Sequence, residues 1–164
     1  RYIKEINRCL EPGDVIAIRS PYFERLVPGY WSHLGIYIGE CIGKNHQVIQ
    51  ARGYGVYPID LNLFLRSSSA AIMRPELPPT DRANAACEAK KYIGYHYDHK
   101  FDFADNTRFT CSELVYSIYK EALSLELCTV SSFWRKKKVF LPDHLFKRGF
   151  KVVWVSPEAI IPKF

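Results

Sequence analysis

Cys111 opens the run Cys111-Ser112-Glu113-Leu114-Val115-Tyr116, and Leu114, Val115, Ile118 and Tyr119 then return at spacings that form one helical face. A thiol at that helix start meets unsatisfied backbone N–H groups and the positive end of the helix dipole. Both are expected to lower its pKa and favour thiolate, the nucleophilic form. Upstream, His33 leads a strand-like run, Leu34-Gly35-Ile36-Tyr37-Ile38-Gly39. Alone, such a histidine reads as a sheet residue bonded to backbone. Together with Cys111 it completes the smallest set for thiol catalysis, a nucleophile and its base.

A base needs an orienting group on its far ring nitrogen. The next strand-like run, Val48-Ile49-Gln50-Ala51, offers Gln50. If the two strands pair, the Gln50 amide oxygen is placed to accept from Nδ1–H of His33 and set its tautomer. The alternative is an ordinary solvent-facing strand residue. Tyr97 precedes the cysteine helix and is expected to donate to a developing oxyanion beside the backbone N–H of Cys111, or else simply to pack. His96, Asp98, His99 and Asp102 are spaced too generically to argue for a metal, and no phosphate-binding glycine loop or G-x-S-x-G elbow occurs. The reading therefore calls for no metal and no cofactor.

These residues need elements to hold them. The turn Glu11-Pro12-Gly13-Asp14 precedes a short strand, Val15 to Ile18. Strands are expected at His33–Ile38, Gln47–Ala51, Val56–Ile59, Ala70–Met73 and Phe150–Val155. Asp60 is placed to cap a short helix, Leu61–Leu65. Thr80 or Asp81 is expected to cap a second helix that runs to Gly94. The cysteine helix should reach about Leu123, and Leu141-Pro142-Asp143-His144 should open a last short helix to Arg148. Short strands with segregated helices predict an α+β domain, an antiparallel sheet or half-barrel packed against the cysteine helix.

The 164 residues suit one domain, 1–164, long enough to bury a core without staples. No apolar run approaches the roughly 20 residues that span a bilayer. Cys9, Cys41, Cys87, Cys111 and Cys128 are odd in number and irregular in spacing, which argues against a disulfide framework and a structural zinc site. Cys87, in an Ala-rich helix, reads as a small core residue. Net charge is +6, with much of the excess in Arg135-Lys136-Lys137-Lys138. That run reads as a solvated loop, or as attraction to an anionic envelope or membrane surface. No nucleic-acid-binding motif accompanies the charge. The chain opens on Arg1, so a trimmed signal is one reading, with a cell-envelope or exported location; a cytoplasmic one is the alternative.

Taken together, the motifs resemble the NlpC-type cysteine peptidase superfamily, in its circularly permuted YaeF/YiiX-like branch. The resemblance rests on Glu11-Pro12-Gly13-Asp14-Val15, Ser32 to Gly39, Val48 to Ala51, Arg74-Pro75, Tyr92 to Asp98, Phe109 to Tyr116 and Pro142 to Leu145. The order matters, because unpermuted members place the cysteine helix before the histidine strand. The resemblance implies a papain-like fold with Cys111 as nucleophile, His33 as base, Gln50 as third polar residue and Tyr97 at the oxyanion. Related branches often carry Glu or His where this chain has Gln50. The implied activity is hydrolysis of, or acyl transfer from, an amide or ester in a peptide or lipid-like substrate. Two other classes stand beside it: a binding module that keeps the fold without catalysis, and a basic nucleic-acid binder.

Overall fold

The computed structural model describes residues 2–21, 27–41, 44–131 and 136–164; side chains 41, 44 and 45 are not described. Its centre is a six-stranded sheet in which every neighbouring pair is antiparallel. The strands are β1 (Val15–Arg19), β2 (His33–Cys41), β3 (Lys44–Arg52), β4 (Gly55–Asp60), β5 (Ser69–Pro75) and, last in the chain, β10 (Phe150–Val155). Their order across the sheet is β10-β5-β1-β2-β3-β4. Central β1 is buried on both faces, which is why Val15-Ile16-Ala17-Ile18 is an unbroken apolar run. Val15 and Ala17 join a core under helices α3 (Pro79–Lys90) and α4 (Cys111–Tyr119). Ile16 and Ile18 join a second cluster with Leu61 and Phe64 of the short helix α2 (Leu61–Phe64).

Local chemistry explains most boundaries. The Asp60 carboxylate accepts the Asn62 N–H at 2.8 Å and starts α2 as expected. Gly53 and Tyr54 form the turn between β3 and β4. Helix α3 starts differently: Pro78 is its N-cap and Pro79 fills the first turn, in place of a Thr80 or Asp81 cap. A proline there loses nothing, since its missing N–H has no intrahelical partner. The helix ends at Lys90 and a turn continues to Gly94. It buries Arg82, Ala86 and Ala89, so Cys87 points outward and is exposed, not the core residue its surroundings suggested. Helix α4 likewise ends at Tyr119, short of Leu123.

An N-terminal helix, α1 (Ile3–Cys9), and a small parallel pair, β6 (His96–Tyr97) with β7 (Arg108–Phe109), carry no strong sequence signal and were not expected. The expected basic loop is in part a strand: β8 (Cys128–Ser131) pairs antiparallel with β9 (Lys136–Val139). Arg135 lies outside the described residues. Three consecutive lysines fit a two-stranded ribbon because it leaves them in solvent. The expected final helix is a 3-10 turn, Pro142–Phe146.

One polar cluster anchors the turn before β1. Asp14, fully buried, takes a two-point bond from Arg74 at 2.9 and 2.8 Å and the Glu11 N–H at 2.9 Å. Arg82 pairs with Glu11, and the Tyr119 hydroxyl donates to the Gly13 carbonyl. Helix α4 is thereby tied to the strand that neighbours the histidine strand.

Candidate active site

Cys111 is the first residue of α4. Thr110 caps the helix, its hydroxyl oxygen accepting the Glu113 N–H at 3.2 Å. One amide of the first turn is thus satisfied, and the sulfur sits among the others. Backbone N–H groups of Ser112 and of Leu34 in β2 favour its thiolate, and the Ser112 hydroxyl lies 3.9 Å away.

The β2–β3 ladder reaches Ile36–Ile49 and pairs no residue of β2 before Ile36. At that end the imidazole of His33 and the amide of Gln50 make the link instead. His33 Nε2 lies 2.7 Å from Gln50 Oε1, and both residues are buried. An amide oxygen can only accept, so Nε2 carries the proton and Nδ1 keeps the lone pair. The Gln50 contact was expected, but on the other nitrogen. The ring sits 5.6 Å from that of Phe64. Gly35 makes room for that packing: a Cβ there would lie 2.4 Å from Val48 Cγ1 and 2.8 Å from the Phe64 ring.

The approach to His33 is also fixed. Asp143, in the 3-10 turn, accepts the N–H of Trp31 at 2.8 Å and of Tyr30 at 3.0 Å. Gly29 lies at φ +105°, and a Cβ there would fall 2.5 Å from Asp143 Oδ2. Trp31 is fully buried and stacks on Phe146 at 5.5 Å. Of the Pro21–Trp31 segment, residues 22–26 lie outside the described residues.

Cys111, His33 and Tyr97 line one narrow cavity of about 50 Å³, with Ser32, Thr110, Ser112, Val27, Phe101, Phe103, Val139, Phe140 and Leu141 around them. Gln50 stands behind His33 rather than in the cavity wall. Burial governs the electrostatics. It pushes the Cys111 thiol up, against the donors that favour thiolate. It pulls His33 down to about 4, with the Gln50 bond opposing and Arg52 adding to the fall. Both shifts favour the neutral thiol and the neutral imidazole, and so work against the expected thiolate–imidazolium pair in this closed site. Burial, with Cys111 and two carboxyls nearby, raises Tyr97 to about 12, so its phenol keeps its proton and can donate.

Those carboxyls, Glu113 and Asp98, were missed as a pair. Glu113 is 2% exposed and Asp98 1%. Burial and the Asp98 charge raise Glu113 to about 8, and its protonated form donates to Asp98. Thr110 Oγ1 donates to Glu113 Oε1 at 3.1 Å, and Asp98 accepts the N–H groups of Lys100 and Asp102. The pair joins the cysteine helix to the loop that follows Tyr97. The signal available was a Glu inside the capped first turn and an Asp directly after Tyr97. Among the described residues, no group of three or more His, Cys, Asp or Glu stands together to hold a metal.

A cysteine on a capped helix start and a histidine on an antiparallel sheet thus share one cavity, with an amide behind the imidazole. The family of permuted papain-like amidase enzymes, YaeF/YiiX, C92 family, matches residues 9–153, and the chain belongs to that family. It is thus a papain-like cysteine hydrolase of the amidase and peptidase kind. Among solved structures, the fold is similar to that of the metalloprotein yiiX from Escherichia coli O157:H7, with a TM-score of 0.74 and 20% identity over 90% of this chain and 98% of that one. No curated protein sequence matches.

Proposed function

We propose that the chain hydrolyses, or transfers the acyl group of, an amide or ester through Cys111, His33, Gln50 and Tyr97. The observation that carries this reading is the single cavity lined by the Cys111 thiol, the His33 imidazole and the Tyr97 phenol. As the sulfur attacks the carbonyl carbon, its proton passes to Nδ1 of His33. The carbonyl oxygen becomes an oxyanion, met by the Tyr97 hydroxyl and the Cys111 backbone N–H. Nδ1–H then protonates the leaving nitrogen or oxygen, the carbon–heteroatom bond breaks, and a thioester remains on Cys111. Water or an acceptor, deprotonated by His33, cleaves the thioester and restores the thiol. Gln50 holds the Nε2–H tautomer throughout, so that Nδ1 is always the base.

Neutral resting partners suit this route, because charge develops only when a carbonyl is present to use it. A peptide or lipid-like acyl compound fits the apolar walls at Phe101, Phe103, Val139 and Phe140. The direct test is a fluorogenic amide and thioester panel with intact-mass detection of the acyl adduct, followed by peptide mapping. An adduct on Cys111 that is absent in His33→Ala supports the reading. Turnover that persists in Cys111→Ala removes it.

A further inference from the structure

The apolar walls of the cysteine cavity do not end at the cavity. Phe101 and Phe103 also line a second groove of about 510 Å³, bounded by Lys100, Asp102, Leu127, Lys137 and Lys138. That volume lies within the roughly 300–1,000 Å³ of small-molecule sites. The β8–β9 ribbon explains the continuity. Side chains alternate along a strand, so Lys137 and Val139 share a face. Val139 walls the cysteine cavity and Lys137 walls the groove, where its Nζ donates to the Lys100 carbonyl at 3.1 Å.

The groove is positive. Among the described residues, Lys100, Lys137 and Lys138 make no ion pair with a carboxylate. The one acid in its lining, Asp102, already accepts the Ala104 N–H at 3.0 Å. Phe101 stands where the two cavities meet. It is a non-glycine residue at φ +54° and yet 43% exposed. A left-handed backbone is unfavourable for a residue that carries a Cβ. Here it holds an apolar ring toward solvent, between an apolar site and a basic one, on a loop fixed from beneath by Asp98.

We propose that Phe101, Phe103, Lys100, Lys137 and Lys138 form a substrate subsite for an apolar segment that ends in a carboxylate, so that the amide or ester cleaved at Cys111 belongs to an acidic substrate. This rests on the thiol-hydrolase reading. The apolar segment lies along the two phenylalanine rings, and the carboxylate reaches the ammonium groups. Such exposed pairing weakens with salt.

The test uses matched ligands: the monoamide of octanedioic acid with a free carboxylate, and its methyl ester. Binding to Cys111→Ala is measured by calorimetry, which needs no turnover. The anionic ligand is expected to bind roughly 3- to 10-fold tighter at low salt. That advantage should vanish in 0.5 M NaCl and in Cys111→Ala carrying Lys137→Ala and Lys138→Ala. Both lysines are exposed, and an unchanged melting curve confirms folding. Equal binding of the two ligands, no binding of either, or an advantage that survives the lysine replacements overturns the subsite. The hydrolase reading is judged separately with the 4-nitrophenyl esters of the same acids and the wild-type chain. Carboxylate-dependent binding without turnover of either ester would sink that reading and leave the groove as a binding site for an apolar carboxylate.

Discussion

Nε2 of His33 and Oε1 of Gln50 meet at 2.7 Å, in the part of β2 and β3 that the backbone ladder leaves unpaired. The bond sets which nitrogen keeps the lone pair, while the amide leaves its own Nε2 buried without a partner. Losing one general base typically costs ~100- to 10,000-fold. Gln50→Ala should cost at least tenfold less than His33→Ala in kcat/KM, because it orients the base without moving a proton. Gln50→Glu should raise the pKa of His33 and shift the acid limb of the pH–rate profile upward. Steady-state kinetics on the three variants checks the order; equal losses in Gln50→Ala and His33→Ala would reverse the roles.

Burial raises the Cys111 thiol, so little thiolate exists at neutral pH in the closed site. Iodoacetamide labelling of Cys111 should therefore be slow at pH 7 and keep rising beyond the usual thiol range of about 8.5. Exposed Cys87 is the internal reference. Mass mapping of both sites against pH gives the comparison. A Cys111 rate that levels off below pH 7 would mean that the ion pair forms at rest. Cys111→Ala should lose turnover and keep the fold.

His33 titrates at about 4 in the folded chain against 6.5 for an ordinary imidazole. A depressed base contributes stability above its unfolded pKa. That contribution is lost as pH falls from about 6.5 toward 4, with a slope of up to about 1.4 kcal/mol per pH unit. His144 is shifted the same way, so the contrast must be between wild type and His33→Gln. Urea unfolding at pH 7 and pH 5 should show a smaller acid loss in the variant.

Tyr97→Phe keeps the ring and deletes the hydroxyl. If the phenol meets the oxyanion, kcat should fall ~100- to 1,000-fold with KM little changed. Wild-type turnover in this variant would make Tyr97 a packing residue.

Glu113 is raised from 4.5 to about 8 by burial and by Asp98. A raised carboxyl contributes stability below its unfolded pKa and loses it as pH climbs through its folded pKa. Wild type should therefore lose stability between about pH 4.5 and 8 relative to Glu113→Gln, which cannot ionise but can still donate to Asp98. Thermal melts across that range would show the two curves diverging upward in pH; parallel curves would mean that Glu113 does not hold a proton there.

Periodicity and capping are local, and what depends on them was legible without coordinates. Cys111 at the head of a helix, His33 at the head of a strand and the Asp60 cap all follow from residues within a few positions of each other. The contact between His33 and Gln50 was also within reach, because consecutive short strands tend to pair. Tertiary structure decided everything that depends on what packs from afar. Which ring nitrogen faces Gln50 is seen only once the side chains of β2 and β3 are brought together. Whether Cys111 rests as thiolate depends on how much water the surrounding chain removes, and desolvation outweighs the helix start that argued for thiolate. Cys87 turned outward because Arg82, Ala86 and Ala89, at i, i+4 and i+7, form the face of α3 that packs inward, and Cys87 lies off it. The Glu113–Asp98 pair and the lysine ribbon beside Phe101 are joined only by folding. Spacing encodes geometry along the chain; burial and charge proximity belong to segments that spacing does not relate.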